Sequence, residues 1–83
     1  MEGIFRAMTP RIEINPKVCG GKPVIEGTRI PVSVLLELLA SGENWESILV
    51  GYPELNREDL QAVLLFAKES IEHTEVAFLT VNP

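Results

Sequence analysis

Lys17, Lys22 and Arg29 fall within 13 positions of one another, interleaved with Gly20, Gly21, Pro23 and Gly27 and flanked by Pro16 and Pro31. Cations carried on glycine-shaped turns are the groups that meet phosphate oxygens, which fix a protein's register on a nucleic acid. The competing reading is internal: Arg29 clamps its own loop by bonding carbonyls, or pairs with Glu26 or Glu37. Gly20, Gly21 and Gly27 are read as structural turn positions, since glycine alone adopts the required backbone angles cheaply. Gly20-Gly21-Lys22 is not a phosphate-binding P-loop, because the G-x-x-x-x-G-K-[ST] spacing is missing. A second donor pair, Arg57 and Gln61, stands where a helix begins, as a reading helix requires. Glu58 and Asp59 sit between them. These carboxylates complement the helix dipole, and they also repel a phosphate backbone. Lys17, Lys22, Arg29, Arg57 and Gln61 are therefore the candidates for DNA contact.

Other chemistry is sparse. His73 is the sole histidine and has no cysteine or carboxylate at metal-ligand spacing, so no metal site is expected. Cys19 is the sole cysteine, which excludes an internal disulfide and suits a reducing cytoplasm. Ser33, Ser41, Ser47 and Ser70 lack a nucleophile-elbow context. No catalytic residue, no enzymatic activity and no cofactor are expected. Trp45 and Tyr52 suit either base stacking or core packing; without basic neighbours the core reading prevails.

Apolar residues point instead to protein contact. On a helical wheel Leu65 falls among Glu58, Gln61, Lys68 and Glu69, away from the stripe of Leu60, Val63, Leu64, Ala67 and Ile71. Residues 32–40 are apolar around most of a helix, Leu36 included, so that helix is central to the core or shared with another chain. Residues 76–81 form an apolar, strand-prone tail. It either covers the core or presents Phe78 and Leu79 to a partner by strand addition or groove docking. Leu36, Leu65, Phe66, Lys68, Phe78 and Leu79 are the candidate partner or dimer interface.

The elements that must position these groups follow from local signals. Arg11–Asn15 alternates polar and apolar residues as a half-buried strand, and Val24-Ile25 can pair with it. A tight turn at residues 26–28 leads to a helix starting at Pro31 or Val32 and ending at Ser41, with Gly42 as its left-handed stop. A short helix runs from Trp45 to Val50 with Asn44 as its N-cap. Gly51 to Leu55 breaks it, and a long helix follows Asn56 and fades near residues 72–74. The fold class is mainly α: a short N-terminal β-hairpin followed by a three-helix, homeodomain-like helix-turn-helix bundle. Residues 1–10 are expected as a flexible extension, 11–74 as one domain and 75–83 as a tail.

Length and charge bound the function. A chain of 83 residues buries roughly 60–65% of its unfolded surface and has little room for a deep catalytic cleft. No apolar run reaches the ~18 residues of a membrane span, and the first eight residues lack the pattern of a signal peptide. A cytoplasmic location with no membrane contact is expected. The net charge is −5. Residues 1–29 carry five basic and three acidic side chains, a net +2; residues 30–83 carry two basic and nine acidic, a net −7. A polyanion meets the first third more readily than the helices.

The segment Gly21-Lys22-Pro23-x-Ile25-x-Gly27-Thr28-Arg29-Ile30-Pro31-Val32 resembles the opening motif of domain-of-unknown-function family 433. So do Leu35-x-x-Leu38-Leu39-x-x-Gly42, the helix Trp45–Leu49, Tyr52-Pro53-x-Leu55 and Glu58-Asp59-Leu60-Gln61-Ala62. The resemblance covers roughly residues 11–72. It implies a small helix-turn-helix protein similar to VapB-type antitoxins, which neutralise a PIN-domain ribonuclease toxin and, as homodimers, bind operator DNA. It further implies that Lys68 or Arg57 enters an acidic, magnesium-binding toxin site. Glu26 stands where the resemblance implies a basic residue, which removes charge from the basic segment. A protein-interaction module with no DNA role is the alternative.

Overall fold

The structure, a computed structural model, describes residues 5–6 and 9–72. It is mainly helical: three helices follow a small antiparallel sheet. The strands are β1 (Phe5–Arg6), β2 (Ile12–Ile14) and β3 (Val24–Ile25), in the order β1-β2-β3. β2 pairs with β3 through Ile12 opposite Ile25 and Glu13 opposite Val24. β1 pairs with the other edge of β2 through Phe5 opposite Ile14 and Arg6 opposite Glu13. The expected hairpin is therefore present, and it is joined by an edge strand within the segment expected as an extension.

In β2 Ile12 is buried, while Glu13 and Ile14 are both half-buried, so burial along this short strand does not follow its polar–apolar alternation. Both residues of β3 are buried. The chain then reverses within a few residues: the Thr28 N–H and Oγ1 both donate to the Ile25 carbonyl, at 2.9 and 2.8 Å. The Ile25 N–H donates to Ile30 O at 3.0 Å and the Val32 N–H to Pro23 O at 2.9 Å. Gly27 makes this reversal at φ 80, an angle a Cβ would strain.

The reversal delivers the chain to α1 (Val32–Ala40). Pro31 is its N-cap rather than its first helical residue, because its ψ of 142 is extended. At the far end Gly42, at φ 95, donates to Leu39 O, and Glu43 N–H donates to Leu38 O. That pair of bonds is a Schellman closure. α2 (Trp45–Gly51) starts at Asn44, whose Oδ1 accepts from the Ser47 N–H at 2.8 Å. α3 (Arg57–Glu72) starts with a reciprocal cap. The Asp59 N–H donates to Asn56 Oδ1 and the Asn56 N–H donates to Asp59 Oδ2, both at 3.0 Å.

The core is one cluster: Ile12 and Ile25 from the sheet, Ile30 from the reversal after it, Val32 and Leu35 from α1, Ile48 from α2, Leu55 from the turn between α2 and α3, and Leu60, Ala62 and Val63 from α3. Two expectations change here. The buried face of α3 is Asp59, Leu60, Ala62 and Val63, while Leu64 and Ile71 are 44% and 60% exposed. In α1 only Val32 and Leu35 are buried; Val34, Leu36, Leu38 and Leu39 are half-buried and Ala40 is exposed. Among the described residues nothing covers the remaining apolar surface of α1. No helix of the described residues is long and apolar enough to cross a membrane.

Candidate functional site

The basic candidates separate into two groups. Lys17 and Lys22 flank a tight 3-10 turn, Cys19–Gly21, whose three residues all have positive φ. The Lys17 N–H donates to Asn15 Oδ1 at 2.9 Å and the Lys22 N–H to Cys19 O at 3.2 Å. The Cys19 thiol lies 3.5 Å from the Arg29 carbonyl, which seats this turn against the Gly27 reversal. Lys17, Lys22 and Arg29 are exposed, and their side chains have no partner among the described residues. The clamp expected of Arg29 is therefore not made there.

Arg57 is committed elsewhere. Its guanidinium lies over the Trp45 ring, 5.1 Å from the centroid, and 3.8 Å from Glu46 Oε2. Trp45 and Tyr52 are half-buried and pack against the core, as their aromatic bulk favours. Two of the serine hydroxyls back-bond their helices: Ser41 Oγ donates to Glu37 O, and Ser70 Oγ donates to Phe66 O, both at 2.9 Å. Among the described residues no three histidine, cysteine or carboxylate side chains gather to hold a metal ion. His73, Phe78 and Leu79 lie outside the described residues.

Gln61 belongs to a groove along α3. Glu58, Gln61, Ala62 and Leu65 recur at i, i+3, i+4 and i+7 and so share one helix face. Thr9, Pro10 and Arg11 run opposite them, and the seven residues line a shallow, largely open hollow of about 250 Å³. Two bonds hold that segment to the helix. Arg11 Nη1 donates to Asp59 Oδ1 at 2.8 Å, and Thr9 Oγ1 donates to Glu69 Oε1. The two acceptors are ten residues apart, roughly 15 Å along the axis, and the groove lies between them. Thr9 and Asp59 are the two buried polar side chains among the described residues, and each is satisfied by these contacts.

The interface candidates divide likewise. Leu36 and Phe66 are half-buried against the core. Leu65 is 44% exposed and forms part of the groove wall. Lys68 Nζ is 2.9 Å from Glu72 Oε2, one turn along. That hydrogen bond and the Glu72 charge, with Glu69 adding to them, raise the Lys68 ammonium above its ordinary value. Val50, 81% exposed on α2, adds a further apolar group to the surface. Thr9 and Arg11 escaped the sequence reading. Asn56-x-x-Asp59 signals a cap, but nothing local signals a partner 48 residues away.

Fold and site together define a small three-helix protein of helix-turn-helix layout, with a strapped groove along α3 and no metal-holding cluster among its described residues. The chain belongs to the family described as "Protein of unknown function (DUF433)", whose model matches residues 12–67. It is similar to a DUF433 member protein of Anabaena variabilis ATCC 29413, known from a crystal structure. The TM-score is 0.71 at 36% identity, covering 81% of this chain and 66% of that one. It is also 33% identical over 54 residues to the uncharacterized protein y4eO of Sinorhizobium fredii (strain NBRC 101917 / NGR234). That match takes in 65% of this chain and only 24% of the relative's length.

Proposed function

We propose that this chain is an antitoxin of a type II pair, which binds and neutralises a PIN-domain ribonuclease toxin in the cytoplasm and acts as a homodimer. One observation carries the reading: α3 turns apolar and acidic groups outward while its cations are engaged within the chain. Leu64, Leu65 and Ile71 are exposed, Arg57 lies on Trp45, and Lys68 pairs with Glu72. Such a surface favours a protein over a phosphate backbone. The engagement of Arg57 and Lys68 argues against either one reaching into the toxin's metal site. The choice of partner rests on the resemblance of the residue 21–32 motif to antitoxins, since the matched family is described only as one of unknown function.

Operator contact, in this reading, falls to Lys17, Lys22 and Arg29, whose side chains are exposed and uncommitted among the described residues. Arg57 and Gln61 at the start of α3 are set aside for it. A pure interaction module without a DNA role is the second reading, favoured by the net charge of −7 over residues 30–83. The deciding experiment is co-expression with the neighbouring reading frame, followed by size exclusion with light scattering. A stoichiometric complex whose second member is toxic alone is the expected result. A lone chain beside an unbound, toxic neighbour overturns the antitoxin reading.

A further inference from the structure

The groove beneath the residue 9–11 strap carries a chemistry that the contacts above leave unused. Ala62 and Leu65 on one side and Pro10 on the other give it an apolar interior. Glu58 and Gln61 stand at its edge, both exposed, with no side-chain partner among the described residues. Arg11 also lines it, but its guanidinium is held 2.8 Å from Asp59. The other two cations of the helical part, Arg57 and Lys68, face Trp45 and Glu72. An apolar hollow thus lies beside an unmatched carboxylate; its helical wall belongs to residues 30–83, of net charge −7, and its other wall to the N-terminal segment, whose Arg11 is held by Asp59. At about 250 Å³ the space is below the usual size of a small-molecule site and suits one or two side chains.

We infer that this groove receives a segment of the partner protein in which an aliphatic or aromatic side chain is flanked by lysine or arginine. The apolar side chain enters between Pro10 and Leu65 over Ala62. The flanking cation meets the Glu58 carboxylate, and the Gln61 amide bonds the segment's backbone. Opposite charges steer such a segment to the site and reject an acidic one. The inference rests on the antitoxin reading only for which protein supplies the segment. A second copy is the poorer occupant, since each chain carries a net −5 that opposes joining two acidic faces.

The test uses the full, isotopically labelled chain and a short peptide with a leucine between two arginines in a glycine–serine frame. Saturable amide shifts at Arg11, Gln61, Ala62 and Leu65 are expected. A peptide with glutamates in place of the arginines should bind at least about threefold more weakly, the worth of one exposed ion pair, and one with alanine in place of leucine should also bind more weakly through the apolar area it no longer buries. Ala62→Leu fills the interior and should abolish the shifts. Because Ala62 is buried, Glu58→Lys at an exposed position is the safer arm, and it should reverse the preference between the arginine and glutamate peptides. No saturable shift at the groove, or an unchanged preference in Glu58→Lys, overturns the inference. If a Glu58→Lys, Ala62→Leu chain still neutralises the toxin, the groove is refuted as the toxin's site while the antitoxin reading stands. If the wild-type chain binds the arginine peptide but no toxin, the groove stands and the antitoxin reading falls.

Discussion

Arg11 and Asp59, 48 residues apart in the chain, meet at 2.8 Å and join the start of β2 to the first turn of α3. Arg11 reaches this position from a left-handed backbone angle, φ 75, which is costly for a residue with a Cβ. Asp59 is 5% exposed, and its two oxygens are divided between the Arg11 guanidinium and the Asn56 N–H. One carboxylate therefore caps the start of α3 and fastens the sheet to it.

Asp59→Ala removes both functions and leaves the Asn56 N–H and the guanidinium short of an acceptor. The expected cost is about 2–3 kcal/mol, from a lost cap and a lost charge-assisted bond. Arg11 is 44% exposed, so Arg11→Ala should cost less, about 1 kcal/mol. Urea unfolding of the two single variants and the double variant checks this. The double variant should be less unstable than the sum of the singles, since the pair is in contact.

Leu65→Glu should leave stability within about 0.5 kcal/mol, as expected of a surface change, and abolish toxin neutralisation. Deletion of residues 75–83 should do the same to neutralisation. Co-expression survival measures function, and a thermal melt confirms folding. Retained neutralisation in both variants would refute partner binding through this helix and tail.

Lys22→Ala and Arg29→Ala should each lower the salt dependence of DNA affinity by about one unit of slope, with weaker binding to every sequence. Arg57→Ala should leave DNA affinity unchanged. Its cost should appear in stability, about 0.5–1 kcal/mol, through loss of the contact with Trp45. Fluorescence anisotropy at several salt concentrations separates the three.

The Lys68–Glu72 pair sets a pH dependence whose sign is fixed. Glu72 raises the lysine in the folded chain, so its contribution is fully present below the ordinary value of 10.5 and is lost as pH rises through the raised value. Lys68→Gln should therefore flatten the fall of the thermal midpoint above pH 10.5. Identical alkaline profiles for the two chains would show that the pair contributes nothing.

Much of the architecture was readable because its signals are local. Asn44 and Asn56 cap the helices they precede, Gly42 closes α1, and Gly27 makes the reversal between β3 and α1. Each of these depends on neighbours within a few residues, through a backbone angle or a nearby N–H. The family motif lies in the same stretch for the same reason.

The placement of α3 was not readable, and its site followed that placement. Its sequence contains two overlapping stripes, Leu60-Val63-Leu64-Ala67-Ile71 and Asp59-Ala62-Val63-Phe66, and helical periodicity accepts either. Packing against β2, α1 and α2 buried Leu60 and Val63 of the first together with Asp59 and Ala62 of the second, and left Leu64 and Ile71 exposed. It also buried a carboxylate that read as a solvent-facing cap. β1 was equally hidden, because a two-residue strand exists only through its pairing with β2. Helix starts, stops and turns were thus determined by the sequence itself, since each is settled within one turn of chain. Which face is buried, what Asp59 holds and where the groove opens were decided only by tertiary contacts between residues some 50 positions apart.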